Sequence, residues 1–277
     1  MIAIEAGSTI EGLLRESGLP RHEAEILLRS AIGCERIYLI AHAKDTVEPS
    51  NARTAQDSFA RRRAGEPVSY VTGWREFYGL KLRVTPDVLI PRAETEQVVE
   101  LALARLSAGP PAQILELGTG SGAIAIALAS LRPELRITAT DVSEEALDVA
   151  RRNAQEHAVG IAFVRSDWFE SIAAGPFDLI VSNSPYVAAG DPHLERGDPR
   201  FEPRLALLGG DDGLACIRRI AARARQWLRP GGSLLLEHGY DQGESCVTLL
   251  REFGYAGVAD FRDLAGLPRV SAAVWGG

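Results

Sequence analysis

Residues 113–122 read Gln-Ile-Leu-Glu-Leu-Gly-Thr-Gly-Ser-Gly: an apolar run that enters a glycine-rich turn, followed at once by the helical pattern AIAIALASL (123–131). Glycine at 118, 120 and 122 lets the chain turn sharply and lets its backbone approach a ligand closely. The N–H groups at the start of the next helix then face that ligand. The spacing is GxGxG, not the dinucleotide GxGxxG. Alone, it also suits a tight strand-to-helix turn that binds nothing.

Working outward, apolar runs alternate with helical patterns. Strands are expected at QILELG (113–118), RITATD (136–141), IAFVRSD (161–167), FDLIVSN (177–183) and SLLLEHG (233–239), with helices at SEEALDVARRNAQ and GLACIRRIAARARQWL between them. Near-continuous apolar strands separated by helices predict a parallel sheet covered on both faces, an α/β doubly wound fold. The second strand ends in Asp141, 21 residues after Gly120. In doubly wound nucleotide folds an acidic residue at that strand end accepts hydrogen bonds from ribose hydroxyls; a helix N-cap before SEEAL is the structural alternative. Asp167-Trp168-Phe169 follows the third strand, where rings could line an adenine pocket and a carboxylate could meet an exocyclic amine, or Trp168 could pack in the core and Asp167 cap a helix.

The glycine turn and Asp141 together resemble a class I S-adenosylmethionine-dependent methyltransferase. That resemblance implies S-adenosylmethionine as cofactor, with S-adenosylhomocysteine as product. The candidate cofactor-binding residues are Glu116, Gly118, Thr119, Gly120, Ser121, Gly122, Asp141, Asp167, Trp168 and Asn183.

Asn183-Ser184-Pro185-Tyr186 ends the fourth strand and is similar to the Asn-Pro-Pro-Tyr motif of methyltransferases that modify planar amide or amine nitrogens. Such a nitrogen is a poor nucleophile because its lone pair is delocalised. A site helps by accepting both N–H groups, and the Asn183 side-chain oxygen and the Ser184 carbonyl are the candidate acceptors. Tyr186 would stack on the planar group and Pro185 would restrict the backbone, so positioning carries the reaction. Ser184 stands where the motif usually has its first Pro. An ordinary Asn–Pro turn is the competing reading.

The region before the sheet narrows the resemblance. Pro67-Val68-Ser69-Tyr70-Val71-Thr72-Gly73, Phe77-Tyr78-Gly79 and Val88-Leu89-Ile90-Pro91-Arg92-Ala93-Glu94-Thr95-Glu96 closely resemble the HemK/PrmC family, as do Glu202-Pro203, 207–214, 228–232 and 263–266. Ala93 stands where the family usually has Pro, and Glu116 where it often has Asp. The resemblance implies methylation of the glutamine N5 in the Gly-Gly-Gln tripeptide of peptide chain release factors. It further implies a helical substrate-gripping domain (1–75), a hairpin linker (76–90) around Tyr78-Gly79, and a methyltransferase domain (91–277). Arg61-Arg62-Arg63 either contributes to that grip or forms a solvated helix face. Arg92, Glu94 and Glu96 are either an entrance cluster or a salt-bridged joint. The Gly-, Pro- and charge-rich segment 188–204 is a candidate loop over the substrate.

Composition bounds the alternatives. The chain has 277 residues with 30 Lys+Arg against 37 Asp+Glu, a net charge of -7. Residues 1–85 carry 12 cationic and 11 acidic side chains and residues 86–277 carry 18 and 26, so the acidity lies in the second part. That disfavours a protein held to nucleic acid by its overall charge, and no stable nucleic-acid complex is expected. An amino-methyltransferase acting on a nucleic-acid base, or on a ribosomal protein, is the alternative enzyme. A non-catalytic module is disfavoured by the intact glycine turn and Asn183. Cys34, Cys216 and Cys246 form no metal-ligand or disulfide framework, and none of the five histidines has a partner pattern, so no metal is expected. The N-terminal MIAIEAGSTIEGLLRESG lacks a basic start followed by an apolar core. A cytoplasmic monomer without membrane contact is the expectation.

Overall fold

In the N-terminal part, apolar side chains at helical spacing build a small bundle. The computed structural model describes residues 8–106, 111–173 and 175–277. Residues 1–7, part of the stretch read for a signal peptide and of the expected gripping domain, lie outside the described residues. The chain divides into two units, Met1–Trp74 and Arg75–Gly277.

The first unit holds α1 (Ile10–Glu16), α2 (Arg21–Ile32), α3 (Arg36–Ala41), α4 (Pro49–Arg63) and α5 (Val68–Thr72). Ile10, Leu13 and Leu14 of α1 meet Leu27 and Leu28 of α2 and Phe59 of α4 in one core. Thr9 is the N-cap of α1, and its hydroxyl accepts the Gly12 N–H at 3.1 Å. The long helix α4 begins at Pro49, whose fixed φ suits the first helical position and whose missing N–H costs nothing there. The Arg61–Arg63 run is spent inside the unit. Arg61 pairs with Glu66, Arg62 grips Glu23 through two bonds of 2.8 Å, and Arg63 donates to the Ser17 carbonyl at 2.6 Å.

A short hairpin follows, β1 (Trp74–Phe77) and β2 (Leu80–Arg83), turning at Tyr78-Gly79. The remaining elements are α6 (Glu96–Arg105), β3 (Gln113–Leu117), α7 (Ala123–Leu131), β4 (Arg136–Asp141), α8 (Glu144–Glu156), β5 (Ala162–Arg165) and β6 (Phe177–Ser182). They continue with α9 (Arg204–Leu207), α10 (Ala215–Ala224), β7 (Leu228–Glu237), α11 (Gly243–Glu252), β8 (Ala256–Arg262) and β9 (Pro268–Val274).

The seven-stranded sheet has the order β5-β4-β3-β6-β7-β9-β8. Five strands run parallel as expected, but β9 pairs antiparallel with both β7 and β8. The sheet is therefore mixed, and its last two strands were not anticipated. They are joined by the Asp263–Gly266 turn, where Asp263 Oδ1 accepts from Ala265 and Leu267 at 2.9 Å. Both faces are covered. Ile114, Leu179 and Val181 pack with α6 and α7 on one side. Leu115, Leu117 and Ile180 pack with α10 and α11 on the other. A leucine buried this way contributes roughly 1.5–3 kcal/mol, which explains why β3 reads as a continuous apolar run. The order reverses between β3 and β6, whose ends align at Leu117 and Ser182. In open α/β sheets the ligand crevice lies at such a reversal, beyond the carboxyl ends of the strands.

Candidate functional site

A cavity of about 450 Å³ opens at this reversal. Glu116, Gly118, Thr119, Gly120 and Ser121 line it from the glycine turn, Asp141 from β4, Asp167 and Trp168 from the end of β5, and Asn183 and Pro185 from the end of β6. Gly118 and Gly120 have φ of 72° and 54°. A Cβ at Gly120 would point into open space, and one at Gly118 would sit 3.9 Å from Trp168 Cζ3, so the backbone itself forms the wall. Gly122 differs from the expectation. It is not among the described residues lining the cavity. A Cβ there would meet Ile126 Cδ1 at 2.8 Å and Ala150 Cβ at 3.2 Å, so it is glycine to seat α7 against α8.

The turn is braced from several directions. Asp141 Oδ2 accepts the Gly120 N–H at 2.9 Å and its Oδ1 accepts the Ser143 N–H at 3.0 Å. The helix cap considered for Asp141 belongs to Ser143, which accepts from Ala146. Desolvation raises the Asp141 carboxyl above its ordinary value, against these bonds, which lower it. Glu116, 2% exposed, accepts the Thr119 hydroxyl at 2.7 Å and the Ala125 N–H at 3.2 Å. Burial pushes its carboxyl up to about 8. Asn153 of α8, which no sequence motif singled out, donates to the Ser121 carbonyl at 2.8 Å and pairs with the Arg83 backbone.

Trp168 reaches the wall at φ 54°, in the left-handed region uncommon for so large a side chain. Ser166 fixes that bend by donating to the Trp168 carbonyl at 2.9 Å and accepting from Ser171. Asp167 lies beside it, with Oδ2 engaged by Arg219 at 2.8 Å.

A second cavity, about 160 Å³, adjoins the first. Ser184 and Tyr186 line it, and Asn183 lines both. Asn183 Nδ2 donates to Thr95 Oγ1 at 3.0 Å, which leaves Oδ1 as the amide's acceptor. Ser184 is buried, and its hydroxyl has no hydrogen-bond partner among the described residues. Burial raises the Tyr186 phenol above its ordinary value, with Glu237 adding to the effect. The backbone of this loop is clamped. Val187 donates to Leu207 and Gly209 to Val187, at 2.9 and 2.8 Å, and Gln242 Nε2 donates to the Tyr186 carbonyl at 3.0 Å. A Cβ at Gly209 would meet the Pro185 carbonyl at 2.8 Å, and one at Gly213 would meet Gln242 Nε2 at 2.5 Å, so both glycines permit close packing on the loop.

The cluster at 92–96 separates. Arg92 pairs with the buried Glu202, which also accepts the Ile90 N–H at 3.1 Å. Glu96 accepts the Tyr78 N–H at 2.8 Å and so pins the hairpin turn. Glu96 is thus a structural tie, whereas Arg92, held by Glu202, also lines the second cavity. Within segment 188–204, His193, Leu194 and Pro199 wall the second cavity and Pro203 the first. His238, outside any motif, is buried between the Gly239 carbonyl and Asp260.

The arrangement suits a ligand that lies over bare backbone, meets an acidic group at a strand end, and presents its reacting atom beside an amide oxygen. Comparison with known proteins agrees. Residues 92–196 match the "Methyltransferase small domain" model and residues 5–73 the "PrmC N-terminal domain" model. Among solved structures, a methyltransferase from Pyrococcus furiosus superposes with TM-score 0.55 over 79% of this chain and 98% of its own, at 20% identity. The Thermus thermophilus 16S rRNA N2 G1207 methyltransferase, solved with AdoMet and guanosine, gives 0.52 over 73% and 49%, also at 20% identity. These show the fold. Among the described residues no helix is long and apolar enough to cross a membrane. The release factor glutamine methyltransferase of Bordetella pertussis is 48% identical over 95% of this chain and 97% of its own length, and that of Salmonella typhimurium 46% over 93% of each. The chain belongs to the release factor glutamine methyltransferase family.

Proposed function

We propose that this protein transfers a methyl group from S-adenosylmethionine to the side-chain amide nitrogen (N5) of the glutamine in the Gly-Gly-Gln motif of peptide chain release factors. The observation that carries this reading is the position of Asn183, which lines both cavities and keeps its amide oxygen as an acceptor. The larger cavity lies within the ordinary size range of cofactor sites, and the smaller takes a flat polar group.

The residues present fit S-adenosylmethionine. The left-handed Gly118 and Gly120 offer a wall free of side chains, Asp141 stands where ribose hydroxyls would be met, and Trp168 offers an aromatic face. When bound, this cofactor supplies an electrophilic methyl on a sulfonium. Asn183 Oδ1 and the Ser184 carbonyl accept the two N–H groups of the substrate amide, turning its lone pair toward the larger cavity. Tyr186 stacks on the amide plane and Pro185 stiffens the loop. Glu116 braces the glycine turn from beneath, through Thr119 and the first turn of α7. Asp167 keeps Oδ1 for the cofactor while Oδ2 holds Arg219.

The helical segment 1–75 grips the release factor, with the hairpin 76–90 as linker to the methyltransferase domain 91–277. Exposed Ile37 and Ile40 on α3 support a protein-contacting role, whereas the internally paired Arg61–Arg63 do not. The enzyme works as a cytoplasmic monomer without a stable nucleic-acid complex. Incubation with S-adenosylmethionine and a release factor, followed by mass spectrometry of the Gly-Gly-Gln peptide, tests the reading. A gain of one methyl on that glutamine is expected. Methyl found on RNA or a ribosomal protein, with none on the glutamine, overturns it.

A further inference from the structure

Thr95 ends a short helical turn (Ala93–Thr95) that runs into α6, and its helical backbone (φ -65°, ψ -20°) takes its hydroxyl away from capping. Here it makes no capping bond. Its oxygen instead accepts Asn183 Nδ2 at 3.0 Å, and the hydroxyl lies within electrostatic reach of the Glu237 carboxyl at the end of β7, where it favours the ionised form against the larger effect of burial. All three groups are withdrawn from water to differing degrees, and Thr95 and Glu237 are only 4% and 1% exposed. Glu237 Oε2 has no hydrogen-bond partner among the described residues. A buried carboxyl that leaves one oxygen unpaired is costly, and core packing alone does not account for one here.

We infer that Thr95 and Glu237 are positioning residues for methyl transfer, forming a one-way relay that holds the Asn183 amide with its oxygen toward the acceptor. The direction follows from donor and acceptor chemistry. In its ionised form Glu237 only accepts, so in that form the Thr95 O–H donates to it. The Thr95 oxygen is then left to accept, and the group it accepts from is the Asn183 NH2. The amide cannot turn over without losing that bond. Without the relay the two amide orientations lie close in energy, and the wrong one aims an NH2 at the substrate's own N–H groups.

This inference rests on the function proposed above. The test uses Thr95→Val, Thr95→Ser, Glu237→Gln and the Thr95→Val/Glu237→Gln double variant in the full chain. kcat on the release factor is measured beside S-adenosylmethionine affinity by calorimetry and a thermal melt. Thr95→Val is expected to lower kcat about 10- to 100-fold, the scale of a misplaced reacting group, with cofactor affinity and melting temperature near wild type. Thr95→Ser, which keeps the hydroxyl, restores most of the loss. Glu237→Gln has an amide that donates as well as accepts, so it lowers kcat several-fold, and in the double variant it adds little, as expected of partners in one network. A wild-type kcat in Thr95→Val, a serine variant as slow as the valine, losses that multiply in the double variant, or loss of cofactor binding together with kcat each overturns the relay. A wild-type enzyme that leaves the glutamine unmethylated overturns the proposed function itself, which separates the two failures.

Discussion

Asp141 Oδ2 accepts the N–H of Gly120 at 2.9 Å, so the carboxylate at the end of β4 shapes the glycine turn at the end of β3. Its other oxygen holds Ser143. Asp141→Ala removes both acceptors and their charge, each bond worth about 1.5–3 kcal/mol. S-adenosylmethionine affinity should fall about 10- to 100-fold by calorimetry. A dissociation constant within threefold of wild type would count against the ribose role.

Asn183 stands between the two cavities. Asn183→Ala deletes the acceptor and leaves the glycine turn intact. Methyl transfer should become undetectable while S-adenosylmethionine still binds with an affinity near wild type. An active Asn183→Ala enzyme removes this residue from the mechanism.

Ser184 brings a buried, unpartnered hydroxyl into the acceptor loop. Proline there deletes that hydroxyl and fixes φ, while the carbonyl remains. Ser184→Pro should therefore show equal or higher turnover and a melting temperature no lower than wild type. A large loss of turnover would mean that the hydroxyl or the freer φ serves the reaction.

Gly122 combines φ 86° with close approach to Ile126 and Ala150. Gly122→Ala adds overpacking to left-handed strain and should cost about 2 kcal/mol or more, read as a melting temperature several degrees lower. Urea denaturation gives the free energy directly.

Glu116 gives a pH signature. With its carboxyl pushed up to about 8, the folded chain keeps a proton that the unfolded chain releases at the ordinary carboxyl value. Stability therefore falls as pH rises between those two values. Glu237, raised to about 7 by burial, acts in the same direction. Glu116→Gln keeps an oxygen for Thr119 and Ala125, so melts from about pH 5 to about pH 9 should show a flatter decline than wild type. An unchanged slope would mean that Glu116 ionises normally in the fold.

What the sequence made legible was carried by contiguous residues. The strand β3, Gly118, Gly120, Asp141 and Asn183 each sit in a run whose apolar pattern or turn chemistry announces them. Thr95 and Glu237 do not. Thr95 sits inside a resemblance stretch and Glu237 inside an apolar strand, and the fold supplies the partner, Thr95 meeting Asn183 from 88 positions away. Asn153 was hidden for the same reason, as one polar residue on an amphipathic helix. Gly122 was misassigned because a glycine needed for helix packing looks in sequence like one needed for a ligand. The antiparallel β8 went unread because its burial is partial, β9 because its buried centre (270–273) is short and holds Ser271 and two alanines, and both because their turn, Asp263–Gly266, resembled a family motif before it resembled a hairpin.

Gly209, Gly213 and Gln242 press on the acceptor loop from outside its own four residues. The working unit is thus a discontinuous cassette, drawn from 183–187, 207–213 and 239–242. A graft of residues 183–186 alone onto another sheet would transplant the acceptor atoms without the backbone clamp that aims them. Recombination between relatives should preserve activity best where its breakpoints leave these three segments with a common parent.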